Sequence, residues 1–380
     1  MRKTFSLLVS ACILAFGPAA CEKGETTSRK LPAGVQVAAG DPEASFDRLF
    51  VLNEGLMGYN QARLDLFRTD NGHYISDAFG ASNPSLALGL GDTGNDLKIN
   101  GNTVWAVLTG SGLVEVADAR SLRHLAAIPV PDPRQVCFDA SSAYVSSYNG
   151  AIYGGAPVNG KVYRIDLASR KVTAEVEVGE QPEGLAVVGG KLYVANSGGY
   201  SVAKAKTVSV IELEHFTVEK TLDGALNVRD VLAAGNDLWL FSQGNWVDIP
   251  SGLYCLDTET GLLRERSGDL SSVRASSVAL AGSVIYTLYA EWNTGGTSTN
   301  YLYTYDITAD KASRSLFSGD MAEVRTPYAL AVDAAGGDLY IGDSLDSKLP
   351  GLVWCFTPEG KRKWKTTTGI CPGHFAFWKE

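Results

Sequence analysis

Apolar and polar positions alternate along this chain in short runs, and one phrase built from that alternation recurs seven times. An apolar-alternating strand meets a polar or acidic residue, turns tightly, and continues as a second strand. The copies read LDLFRTDNGHYI, LVEVADARSLRHL, VYRIDLASRKVTAEV, VSVIELEHFTVEKTL, LYCLDTETGLLRER, YLYTYDITADKASRSL and LVWCFTPEGKRKWKT. The residues that enter the turn are Thr69, Asp118, Asp166, Glu212, Asp257, Asp306 and Thr357, with spacings of 49, 48, 46, 45, 49 and 51. A period of two residues is a strand signal. A strand-rich repeat of about 40–50 residues predicts a β-propeller with one four-stranded blade per repeat. The expected class is therefore all-β, a seven-bladed β-propeller over residues 47–380.

The fourth repeat shows the blade most plainly. GLAVVGG reads as inner strand A and KLYVANS as strand B, joined by a Gly189-Gly190 turn suited to a tight hairpin. TVSVIEL and FTVEKTL then read as strands C and D. The first repeat begins at RLFVLNEG, which is a strand B, so its strand A is missing. The closing GHFAFWKE has the strand A pattern, and the C-terminus is expected to complete the first blade and close the ring.

This topology puts the A–B and C–D turns on one face and the B–C and D–A connections on the other. The B–C connections read as long and unequal, over 53–62, 146–160, 196–206, 242–251, 290–300 and 343–350; only 108–112 is short. Long loops gathered on one face of a rigid ring are where binding concentrates. Aligning the D–A connections gives one ring position occupied by Asn95, Arg134, Glu183, Arg229, Arg274, Tyr328 and Gly373. The next position holds Asp96, Gln135, Gly184, Asp230, Ala275, Ala329 and His374. Arg fills the ring position three times, a planar fork of donors for phosphate, carboxylate or amide oxygens. Arg and carboxylate partners from adjacent blades can equally staple the channel mouth. The long loops add Tyr59, Tyr148, Tyr153, Tyr200, Trp246, Trp292 and Tyr301, which suits a wide amphipathic bowl. His73, His124 and His215 fall on far-face hairpins as surface residues.

Charge and the N-terminus refine this picture. A formal charge of -9 without a basic run argues against nucleic acid. Residues 1–20 read as a leader: Arg2 and Lys3, a short apolar stretch, then small residues before Cys21. That junction resembles a bacterial lipoprotein cleavage site, departing from it at Pro18, where Leu is usual. Cys21 is the expected lipidation site, with Glu22 behind it, and 21–46 reads as a polar tether. Cys137, Cys255, Cys355 and Cys371 fall in different blades and are expected as buried free thiols.

No hydrolase, P-loop, zinc or dinucleotide motif is present, so the chain is not expected to be an enzyme or to carry a cofactor or resident metal. RLFVLNEG, LGDTGND, YVSSYNG, QPEGLAVVGGKLYVANSGGY and GICPGHFAFW resemble the YncE-like seven-bladed propeller lipoproteins of Bacteroidetes, and within them the BtuG-type surface proteins. The resemblance implies a lipid-anchored, surface-exposed outer-membrane protein that binds cobalamin or a related corrinoid. It also implies delivery to an outer-membrane TonB-dependent transporter. No ligand contact transfers residue by residue. The expected ligand-binding set is the ring and loop set above: Asn95, Asp96, Arg134, Glu183, Arg229, Arg274, Tyr328, His374, Tyr59, Tyr148, Tyr153, Tyr200, Trp246 and Trp292. Two other classes compete. One is a propeller that binds a glycan, peptide or protein. The other is an enzyme, either a calcium-dependent hydrolase using Asp92, Asn95 and Asp96 or a quinone-dependent dehydrogenase.

Overall fold

A computed structural model describes residues 31–150, 158–201, 204–245, 247–266, 278–292 and 298–380, without the side chain of Trp292. The expectations for residues 1–30 including Cys21, and for Tyr153, Trp246 and Arg274, lie outside these residues. The strands form seven antiparallel sheets arranged as blades in a ring. Six sheets take four consecutive strands each. In blade 1 the C-terminal strand Pro372–Trp378 lies inside Arg48–Asn53 and pairs with it, Arg48 opposite Trp378 and Val51 opposite Phe375. The ring is thus closed by the end of the chain.

Strand alternation explains the core. In the B strand Asp237–Ser242, Leu238 and Leu240 pack toward blade 4, while Trp239 and Phe241 pack toward blade 6. Seven apolar clusters result, one at each interface between neighbouring blades. Both faces of the middle strands are buried, so they read as nearly continuous apolar runs. Outer strands such as Lys311–Leu316 are exposed throughout and carry charge, which discourages edge pairing.

The repeated acidic residue is a turn device. Asp118 Oδ1 accepts from Ser121 N at 2.7 Å, Asp166 from Ser169 N at 2.8 Å, and Asp257 from Thr260 N at 2.9 Å. A carboxylate that mimics a backbone acceptor fixes the C–D hairpin locally. The four described cysteines are free, three of them buried.

Three features depart from these expectations or add to them. The tether ends earlier than residue 46: Val35–Gln36 adds a fifth strand to blade 1, and Val37 N and Asp41 N bond to Gly72 O and Thr69 O. Phe46 is buried there, so residues 31–46 belong to the propeller body. Second, the D–A connection of blade 1 holds a short helix, Ala78–Ser82, with Phe79 fully buried and Asn83 bonded to Leu122 O. Third, the B–C connection of blade 6 shrinks to 293–297. The strands run to Trp292 and restart at Ser298, and Tyr289 stacks on Tyr301 at 5.1 Å across the hairpin. Aromatic cross-strand pairs stabilise such an extension. Trp292 and Tyr301 are therefore strand residues, not loop residues.

Candidate functional site

The ring positions predicted from sequence do converge on the channel mouth, and the backbone explains how. Every described inner strand that covers this position shifts register there, between Gly94 and Asp96, at Pro133–Val136, Pro182–Leu185, Val228–Asp230, Pro327–Ala329 and at Pro372–His374. A bulge bends the strand and re-aims its side chain. In five of these strands the preceding residue has positive φ: Thr93, Asp132, Gln181, Asn227 and Cys371. Left-handed backbone at non-glycine residues costs energy. Its repetition around the ring identifies it as the corner that carries the chain from the rim into the channel.

Arg134 and Glu183 form a staple between blades 3 and 4. Arg134 Nε lies 3.2 Å from both carboxylate oxygens and Nη2 lies 2.9 Å from Oε1. The guanidinium stacks on Tyr148 at 4.5 Å, and the Tyr148 hydroxyl donates to the same carboxylate. All three are buried, Tyr148 completely. Arg134, Glu183 and Tyr148 are therefore committed to each other, and Tyr148 offers a ligand no surface.

The channel below is plugged. Gln135 Nε2 crosses from blade 3 to Arg229 O at 3.0 Å and Asp230 Oδ1 at 3.2 Å in blade 5. Blade 4 has Gly184 at this level because a Cβ there would meet Val231 N at 2.7 Å. Asp96 caps Val136 N at 3.0 Å and holds Lys98 at 3.3 Å. Asp96 and, across the channel, Asp230 hold the Lys98 proton more firmly than usual. Asn95 donates to Arg134 O at 2.7 Å. A ligand on this face must sit on the mouth, above these groups.

The mouth has a second cluster with a different character. Gly373 occupies the seventh ring position, and Glu54 from the B–C loop of blade 1 takes its place: a Cβ on Gly373 would lie 2.2 Å from Glu54 Oε1. Glu54 Oε2 accepts from the Tyr328 hydroxyl at 2.7 Å. Burial, reinforced by Glu54, pushes that hydroxyl well above its usual range, so Tyr328 remains a donor. His374 Nε2 lies 3.5 Å from Glu54 Oε1 and is buried without a hydrogen-bond partner. The Arg229 guanidinium makes no hydrogen bond or ion pair with a described residue. Burial works against its charge, but Asp230, Tyr328, Glu54 and Glu183 more than offset this and hold its proton on firmly. Burial raises the Asp230 carboxyl, with Arg229 and Lys98 pulling the other way. Glu54 was not among the residues predicted from sequence. The repeat alignment shows only a missing side chain at Gly373, and the NEG triplet was the available signal.

Around this mouth the long loops expose apolar groups: Met57, Tyr59, Leu88, Tyr200, Val247 and Leu349, with Tyr59 70% exposed and Val247 89%. Among described residues, the turns of the opposite face expose only Leu262 as a large apolar side chain. Tyr59 and Tyr200 thus lie exposed on these loops. His124 is not a free surface residue, since its Nδ1 lies 2.6 Å from Glu115 Oε1. Asp92, proposed for a calcium site, instead accepts from Gly58 N at 2.7 Å and from Thr93 Oγ1 at 3.1 Å. Among the described residues, no group of three His, Cys, Asp or Glu side chains is placed to hold a metal.

Residues 47–345 match the family described as a domain of unknown function, DUF5074. The chain belongs to that family. No curated protein matches it in sequence. This DUF5074 chain is similar in structure to hydrazine synthase of Kuenenia stuttgartiensis, with TM-score 0.58, 17% identity, and coverage of 74% of this chain and 88% of that one. It is also similar to a quinoprotein alcohol dehydrogenase-like protein of Bacteroides thetaiotaomicron, with TM-score 0.57, 14% identity, and coverage of 87% and 78%. A Lactobacillus plantarum protein gives TM-score 0.57, 12% identity, and coverage of 87% and 99%. At such identities the likeness is one of fold, and the propeller is what these proteins share with DUF5074.

Proposed function

We propose that this protein is a lipid-anchored surface binder that captures cobalamin or a related corrinoid on its long-loop face and passes it to an outer-membrane TonB-dependent transporter. The observation that carries the reading is the Arg229 guanidinium, held at the mouth without a hydrogen-bond partner among the described residues and surrounded by loops bearing exposed aromatic and aliphatic groups. A corrinoid is broad and semi-flat, rimmed by amides, with a phosphate in its nucleotide loop. It suits a wide bowl over a plugged channel better than a deep slot does. Loops held on a rigid ring limit the ordering cost of binding. The resemblance of NEG, GDTGND and CPGHF to BtuG-type proteins points the same way. The aliphatic members of the face, Met57, Val247 and Leu349, suit a protein surface that covers the loaded bowl.

The test is a pull-out. The chain from Glu22 onward is mixed with cyanocobalamin and desalted, and its visible spectrum is recorded. The expected result is corrin absorbance co-eluting at about one per chain. Arg229→Ala combined with Arg274→Ala weakens capture more than about tenfold, since a hydrogen bond to a charged group contributes roughly 1.5–3 kcal/mol. A colourless protein at micromolar concentration refutes tight corrinoid capture and transfers the face to a glycan or protein ligand.

A further inference from the structure

The mouth is built for one functional group in particular. The Arg134–Glu183 and Lys98–Asp96 pairs are internally balanced. Among the described residues that leaves Arg229 in electrostatic contact with Glu54 and Asp230, one fixed cation against two carboxylates. A ligand carboxylate or phosphate entering here adds a third anion. Even a proton on His374 only balances the two carboxylates already present. An uncharged group with one acceptor and a pair of donors adds no charge, and each of its atoms finds a counterpart. Arg229 has donors without acceptors. Glu54 has Oε2 committed to Tyr328, while Oε1 lies too far from His374 Nε2 for a good hydrogen bond.

We propose that the channel mouth reads a primary carboxamide: its oxygen accepts from the Arg229 guanidinium, its NH2 donates to Glu54 Oε1, and the matching carboxylate is turned away. The inference rests on the long-loop face being the ligand face, as proposed above, and it names the part of the ligand that enters. Glu54 is the discriminating residue. Its charge attracts an amide NH2 and repels a carboxylate oxygen, and a site that selects by repulsion needs that fixed opposing group. Gly373 belongs to the device because only a residue without a side chain leaves Glu54 this position.

The test uses nitrogen-15 NMR of arginine side chains in the protein from Glu22 onward, with the Arg229 signal assigned by its loss in Arg229→Lys. Propionamide and propionate are titrated separately at neutral pH. Propionamide is expected to shift the Arg229 Nε–H signal with a midpoint about tenfold or more below that of propionate. In Glu54→Gln, which keeps an acceptor for Tyr328, the preference is expected to vanish or reverse. Equal or tighter binding of propionate to the unmodified protein overturns the inference, as does a signal that neither probe moves. Titration with cyanocobalamin and its monocarboxylic acid derivatives separates the two claims. Cyanocobalamin failing to bind while propionamide keeps its preference removes the corrinoid reading and leaves the carboxamide site. Cyanocobalamin binding tightly while the probes show no preference does the reverse.

Discussion

Arg134→Met tests whether the more buried of the two described ring arginines is a staple or a ligand contact. The side chains of Arg134 and Glu183 are 7% and 8% exposed, and they share three close N–O contacts of 2.9 to 3.2 Å. Methionine keeps much of the volume and removes the charge. Glu183 is then a buried carboxylate with only the Tyr148 hydroxyl bonded to it among these partners. Breaking one side of a buried pair costs about 3–5 kcal/mol, mostly because the other charge is stranded. Glu183→Gln should cost a similar amount, since it strands the guanidinium. The double variant strands neither, so its loss should fall short of the sum by about 3 kcal/mol. Urea unfolding followed by tryptophan fluorescence and far-UV circular dichroism gives the three differences, provided the two signals coincide. Additive losses refute the staple. So does an Arg134→Met protein of full stability that has lost ligand capture, because Arg134 would then be spending its donors on the ligand.

Other perturbations separate the remaining roles. Gly373→Ala puts a Cβ on Glu54 Oε1, so Glu54 must leave Tyr328; ligand titration should show weakened capture, with a stability loss of about 1–3 kcal/mol. Burial raises the Glu115 carboxyl from 4.5 to about 7, against the hydrogen bond and charge of His124. A carboxyl raised on folding disfavours the folded state once ionised, so its contribution is complete below pH 4.5 and is lost as pH rises through about 7. Glu115→Gln should therefore gain stability relative to the parent by up to about 3 kcal/mol between those limits, read as the difference in urea midpoints at acid and neutral pH; a constant difference argues against it. Ending the chain at Cys371 removes Pro372–Trp378 and bares the edge of Arg48–Asn53. Size-exclusion chromatography should then show aggregated or strand-exchanged protein in place of monomer.

The fold was legible because each blade repeats the same local instruction. Alternation sets the strands, an acidic residue fixes the C–D turn in five of the seven blades, and an unmatched GHFAFW announces the closing strand. The helix Ala78–Ser82 escaped because five residues make little more than one turn and carry no helical period. Val35–Gln36 escaped because two residues in a polar segment show no pattern, and their pairing with Tyr74 and His73 is set by the neighbouring sheet. At the site, repeat alignment found the ring positions because bulges recur at equivalent places. It could not sort Arg134 from Arg229. Both are arginines at one ring position, and only the neighbouring blade decides which has a carboxylate at bonding distance. Glu54 was hidden for a similar reason, since it fills a ring position from a different strand connection.

The closing strand also sets a timetable. Arg48–Asn53 is made long before its inner partner Pro372–Trp378. Every other blade is complete in sequence order, while blade 1 must wait for the other six. During synthesis the incomplete ring carries an unpaired strand edge and an uncovered apolar flank, the kind of surface that invites misassembly. The contact that closes the ring joins strands from the two ends of the propeller, so the ring becomes a finished object in one late step.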